Sequence, residues 1–104
     1  AGGRRVCVLG DMLELGPDSD EYHEVVGMYA ARHNIDLIVC VGPNAEQTFL
    51  GAHAVRPNRA RYFETQESLL EMLPELLTDG DTILVKASRS MHLERTVERL
   101  RDMV

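Results

Sequence analysis

Three short apolar runs recur along the chain, and each ends at a residue that lets the backbone turn away or carries charge. Arg5–Leu9 (RVCVL) ends at Gly10, Asp36–Val41 (DLIVCV) ends at Gly42, and Thr82–Val85 (TILV) ends at Lys86. Runs of this length bounded by turn residues read as buried strands. Between them the spacing changes to a helical one. Tyr22, Val25, Val26 and Tyr29 fall on one face of a helix that ends near His33-Asn34. Asp18 with Glu21 three places later, just after Pro17, is a helix-start signal, and Asn44 with Gln47 is another, for a helix running to about Ala52.

After a polar loop over residues 53–60, Arg61–Phe63 forms a short strand candidate. Thr65 caps a helix whose apolar face is Leu69, Leu70, Leu73, Leu76 and Leu77. Pro74 lies inside that helix, where it predicts a kink or a break. Asp79-Gly80-Asp81 is a turn, and residues 91–103 carry a last helix with Leu93, Val97, Leu100 and Val104 on one face. The order is therefore β-α-β-α-β-α-β-α. Strands 6–9 and 37–41 are apolar on both faces, and 83–85 continues the pattern. Such strands alternating with amphipathic helices predict an α/β fold, a Rossmann-like three-layer sandwich with a mostly parallel sheet covered on both sides.

The chain has 104 residues, 44% hydrophobic and 27% charged, which suits a single domain over residues 1–104 with one sheet at its centre. Its formal net charge of -6 argues against nucleic acid and against an anionic membrane surface. No run approaches the roughly 20 apolar residues of a membrane span. Cys7 and Cys40 sit inside apolar runs and read as small core residues. The four histidines are scattered, with no CxxC or HExxH pair, so no metal site is expected.

In doubly wound sheets ligands bind beyond the carboxyl ends of the strands. Three corners qualify: GDMLELG (10–16), GPN (42–44) and KASRS (86–90). In the last, Lys86 adds a point charge, Ser88 and Ser90 add hydroxyl donors, and Arg89 adds a planar fork suited to a carboxylate or phosphate. A following helix contributes unpaired N–H groups and the positive end of its dipole. The corner is either an anion pocket or an ordinary helix start with Ser90 as its cap. In the first corner, Asp11 and Glu14 either face a cation such as an ammonium group or serve as a turn cap and a solvated side chain. No phosphate-binding G-x-x-x-x-G-K-[ST] loop, no G-x-G-x-x-G fingerprint and no nucleophile triad occurs. The residues alone also admit a stand-alone anion- or nucleotide-binding module. A receiver-type phosphoacceptor domain fits less well, because no acid follows the second strand.

The stretches RRVCVLGDMLELGPDSDEYHEVVG (residues 4–27), IDLIVCVG (35–42) and DTILVKASRSMHLERTVERL (81–100) together resemble the C-terminal domain of the bacterial Mur ligases. Within that family they resemble the branch that joins D-Ala-D-Ala to UDP-MurNAc-tripeptide during peptidoglycan precursor synthesis. The G-D-M-x-E-L-G loop, the following His23 and the V-K-x-S-R-S corner occur in family order. The resemblance implies the third domain of a cytoplasmic three-domain ligase that uses ATP and Mg2+, both held mainly by the central domain. The chain lacks the family's D-x-Y-N-A-N-P segment and an initiator methionine, as expected of one domain of a longer polypeptide that is inactive by itself. The resemblance also gives the pockets a ligand. Ser88, Arg89 and Ser90 with the following helix start would hold the D-Ala-D-Ala carboxylate, Lys86 would support that pocket or reach the acyl phosphate, Asp11 and Glu14 would steer the amine, and His23 would hold the first loop by hydrogen bonding.

Overall fold

Four strands and four α-helices alternate along the chain. They are β1 (Arg5–Gly10), α1 (Ser19–Arg32), β2 (Leu37–Val41), α2 (Ala45–Val55), β3 (Ala60–Phe63), α3 (Gln66–Leu76), β4 (Thr82–Lys86) and α4 (Glu94–Asp102). The computed structural model describes residues 3–11, 16–78, 80–86 and 94–102. All strand pairs are parallel, in the order β3-β2-β1-β4. The path steps from β1 to β2 to β3 in one direction and then crosses back to β4 beyond β1. Right-handed crossovers therefore lay α1 and α2 on one face of the sheet and α3 on the other.

Strand pleating divides the core accordingly. Cys7, Leu9, Ile38 and Cys40 pack under small residues of α1 and α2, among them Ala30, Ala31 and Ala52. Val6, Val8, Val39 and Val41 pack on the opposite face against Leu69 and Leu73 of α3. The small residues set how closely α1 and α2 approach each other. A Cβ on Gly27 would run into the Thr48 carbonyl oxygen, and one on Gly51 into that of Glu24. Both cysteines are free and buried. Burial pushes the Cys7 thiol up and the Cys40 thiol up to about 12, so neither is a thiolate at neutral pH.

Three expectations change. β4 is an edge strand, half-buried at Ile83 and Val85 on the α3 face, while Leu84 on the other face is 55% exposed. The apolar run TILV is thus not covered on both sides. Pro74 does not break α3, which continues through it to Leu76. The proline forfeits the bond that its N–H would make to the Leu70 carbonyl, and the burial of Leu69 and Leu73 holds the helix together across it. Among the α4 side chains that are described, the buried one is polar, Thr96, with Val97 only half-buried; Leu93 and Val104 and the side chain of Leu100 lie outside the described residues.

Before β1, Arg4 is bonded across to the turn that leads into β4. Its guanidinium donates to both carboxylate oxygens of Asp81, at 3.2 and 2.9 Å, and to the Leu76 carbonyl at 2.7 Å. Asp81 also accepts from the Thr78 amide and hydroxyl. Gly80, at a φ of 89°, makes that turn possible.

Candidate functional site

The strand register brings the corners together. Gly10 pairs with Val41, Val41 with Phe63, and Leu9 with Lys86, so the carboxyl ends of all four strands lie along one rim of the sheet. From β1 the chain leaves toward α1 on one face. From β4 it leaves toward α4, which is bonded to α3 on the other face. Strands whose connections diverge in this way leave a crevice between their ends, and ligands of open α/β sheets sit there. In this fold the switch lies between β1 and β4, flanked by the GDMLELG corner and the KASRS corner.

Lys86 is the last residue of β4. It is exposed and stands beside Leu9 on the α1/α2 face. Its positive charge reaches Cys7 on that face and partly offsets the effect of burial on that thiol. Asp11 follows β1 directly and is only 3% exposed. Its Oδ1 accepts a hydrogen bond from the Ala45 backbone N–H at 2.7 Å. Ala45 opens α2, and Asn44 before it makes no side-chain cap. Asp11 therefore supplies, from 34 residues away, a side-chain acceptor at the start of α2, where the Ala45 N–H also reaches the Gly42 carbonyl at 3.2 Å, and it places a carboxylate at the positive end of that helix. This bond ties the first corner to the second. Glu14, Ser88, Arg89 and Ser90 lie outside the described residues.

The second corner is held from β3. Gly42, at a φ of 117°, turns the chain off β2, and its N–H donates to the Phe63 carbonyl at 2.9 Å. The Tyr62 hydroxyl donates to the Gly42 carbonyl at 3.0 Å. Burial, and next to it the charge of Glu46, pushes the Tyr62 phenol up, so it remains a donor.

His23 is fully buried in the second turn of α1, with Nδ1 2.7 Å from the Ser19 carbonyl oxygen. An Nδ1–H donated there fixes the tautomer and directs Nε2 away from the helix backbone. The expected tie from His23 to the first loop concerns residues 12–15, which are outside the described residues. Asp18, read as a cap, makes no side-chain bond to the start of α1. Thr65 does cap α3, accepting from the Ser68 amide at 3.2 Å.

One pair escaped the sequence reading. Gln66 Oε1 accepts from the Thr96 backbone N–H at 3.1 Å and from the Thr96 hydroxyl at 2.8 Å, both in buried surroundings. No local pattern links residues 30 apart. The trace in the sequence is Thr96 itself, a polar residue next to Val97 on a helix flank assigned to the core.

Among the described residues no group of three or more His, Cys, Asp or Glu stands close enough to hold a metal ion. None of their helices is long and apolar enough to cross a membrane.

Residues 1–89 match the family model described as "Mur ligase, glutamate ligase domain". The UDP-N-acetylmuramoyl-tripeptide–D-alanyl-D-alanine ligase of Bacillus subtilis is 34% identical over 94% of this chain and 22% of its own length. The Escherichia coli ligase of the same name is 34% identical over 96% of this chain and 22% of its own length. A crystal structure of MurF from Acinetobacter baumannii superposes with a TM-score of 0.87 at 31% identity, covering 98% of this chain and 23% of that one. The chain spans less than a quarter of the length of these relatives.

Proposed function

The chain belongs to the Mur ligase family, as its glutamate ligase domain, and from that premise we propose that it works as the C-terminal, third domain of an ATP-dependent amide ligase. The complete enzyme adds D-Ala-D-Ala to UDP-MurNAc-tripeptide in the synthesis of peptidoglycan precursors. The observation that carries this reading is the likeness along 94% and 96% of the chain to two ligases named for that reaction. What supports it from the fold is that Asp11 follows β1 and Lys86 ends the neighbouring β4, one acidic and one basic, as a zwitterionic dipeptide would need. ATP and UDP-activated sugars are cytoplasmic metabolites, which puts the reaction in the cytoplasm.

ATP, with Mg2+, is bound chiefly by the rest of the enzyme and supplies the activation that turns the tripeptide carboxylate into an acyl phosphate. The task of this chain in that reading is to position the acceptor. Arg89, Ser88 and Ser90, with the N-terminal end of α4, hold the dipeptide carboxylate. Lys86 adds positive charge at the mouth of that pocket. Asp11, anchored through Oδ1 at α2, and Glu14 place negative charge on the side where the amine lies. Attack of that amine on the acyl carbon forms the amide and releases phosphate. The domain contributes orientation and exclusion of water rather than a proton-transfer group.

Replacing Arg89 tests this in the full-length enzyme. Losing a bidentate, charge-assisted contact costs about 2–3 kcal/mol, so Arg89→Ala raises the KM for D-Ala-D-Ala by roughly 30- to 150-fold. The KM for ATP stays within about twofold on the same reasoning. An unchanged dipeptide KM overturns the assignment.

A further inference from the structure

Four large apolar side chains, each more than half exposed, stand on one side of the α1/α2 face: Tyr22, Val25 and Tyr29 of α1, and Leu84 of β4. At about 100° per residue the three on α1 share one flank. That flank lies roughly half a turn from Glu24 and Gly27, the residues at which α1 meets α2. The chain steps from β1 to β2 to β3, so α2 lies on the β3 side of α1. The open flank therefore looks the other way, toward β4. Leu84 stands there on the same face of the sheet, beside Cys7. A shallow depression lined by Asp18, Glu21, Tyr22 and Val25 opens on the same flank. A strand of a parallel sheet is ordinarily covered on both faces, and helices pack side by side about 10 Å apart. The position left open beside α1 and over β4 has the place and direction of one more helix.

The way the backbone enters β1 indicates what fills it. Gly3 lies against the turn that opens β4, where a Cβ on it would run into the Gly80 carbonyl oxygen. The chain thus reaches β1 from the β4 side. Among the described strands β4 pairs with β1 alone, so its outer edge is open. A strand laid parallel on that edge and connected to β1 would step across the sheet in the same direction as β1 to β2 to β3. A right-handed crossover then places its helix on the α1/α2 face, over Leu84. A strand beyond β3 would step the opposite way, and its helix would fall on the face where Leu69 and Leu73 of α3 already pack. Relatives are long enough to supply such a unit, since this chain spans less than a quarter of their length.

We propose that the residues immediately ahead of residue 1 in the complete polypeptide form a strand and a helix that finish this sheet. The strand pairs parallel with the outer edge of β4. The helix covers Leu84 and packs beside Tyr22, Val25 and Tyr29. Closing the edge also removes a row of unpaired backbone groups that would template pairing with another chain. The inference is independent of the acceptor corner and of the reaction.

The full-length protein tests it. Leu84→Cys and Val25→Cys are made singly and labelled with a maleimide, the sites being read by peptide mass spectrometry. Glu71→Cys, exposed on α3 across the sheet, is the reference. The expected result is labelling of both at least about 100-fold slower than the reference, because reaction waits for the packing to open. Rates like the reference overturn the proposal. Tyr29→p-benzoylphenylalanine identifies the occupant, since it cross-links under near-ultraviolet light to what lies against it. The expected cross-link is within one chain, to the stretch of roughly 30 residues ahead of residue 1, the length of such a unit. A cross-link to a second copy or to a more distant segment, or none, overturns it. Hydrogen exchange of the unaltered protein reads the strand and decides alone if the variants do not fold. Peptides over β4 are expected to exchange as slowly as those over β1. Rapid exchange of about half the β4 amides shows an open edge and refutes the proposal.

Discussion

The Asp81 side chain is almost wholly buried and accepts from Arg4 twice and from Thr78 twice. The hydrogen bond from Arg4 holds its carboxyl down at about 2, against burial, which acts the other way, and with help from the Thr78 amide. A carboxyl whose folded value lies below its unfolded one stabilises the fold fully above the unfolded value, near 4, and loses that contribution as the pH falls through the folded value. Arg4 is 39% exposed, so solvent screening trims the pair to roughly 1–2 kcal/mol. Asp81→Asn is therefore expected to lower stability by that much at pH 6, with the gap closing between pH 4 and pH 2. Thermal melts of both proteins across that range check it, and a gap that stays constant with pH refutes it. The same scale shows what a sequence leaves out. Asp11 was legible as an acid at a strand end. That its Oδ1 is taken up by the start of α2 was not, because the partner lies 34 residues on and is a backbone group that every residue possesses. Gln66 and Thr96 were invisible for the same reason.

At the scale of elements, periodicity was enough to find the strands and helices, since each pattern is written in consecutive residues. It could not tell an interior strand from an edge strand. TILV reads alike in both places, and only the sheet order, with β4 outside β1, exposes Leu84. Helix starts were legible in part. Thr65 caps as its sequence suggests, whereas Asn44 does not, and Asp11 provides a side-chain acceptor there. Helix packing turned on residues that carry no hydrophobic signal. Gly27 and Gly51 let α1 and α2 touch at their backbones, each lying against a carbonyl of the other helix. Gly27→Ala sets a methyl group against the Thr48 carbonyl, and a backbone cannot rotate out of the way. The overpacking cost of up to about 3 kcal/mol exceeds the roughly 1 kcal/mol that alanine returns through helix propensity. A net loss of about 2 kcal/mol in urea denaturation is expected, and a stabilised variant contradicts the close contact.

For the whole molecule, the alternating order was enough to predict a parallel α/β sandwich with its site at the strand ends, but not which pair of strands would frame the crevice. That depends on the strand order β3-β2-β1-β4, which is settled by packing across the sheet. In the proposed reading the acceptor corner belongs to this chain and activation of the tripeptide to the rest of the enzyme. The 104-residue chain is accordingly expected to bind without turning over. In an amide NMR titration, D-Ala-D-Ala shifts signals from residues 10–16 and 86–91, L-Ala-L-Ala does not, and neither ligation nor ATP hydrolysis is seen. Absence of shifts at millimolar dipeptide shows that the acceptor corner is not formed by this chain alone.

β1 is one of the two strands flanked on both sides, paired with β2 and with β4. The residue just before it is bolted to Asp81. A pull applied ahead of Arg4 therefore enters the fold at the middle of the sheet rather than at its margin. It loads two ladders of hydrogen bonds in shear, all at once, instead of peeling them apart one rung at a time. Under tension at that end, the fold is expected to hold until both ladders yield together.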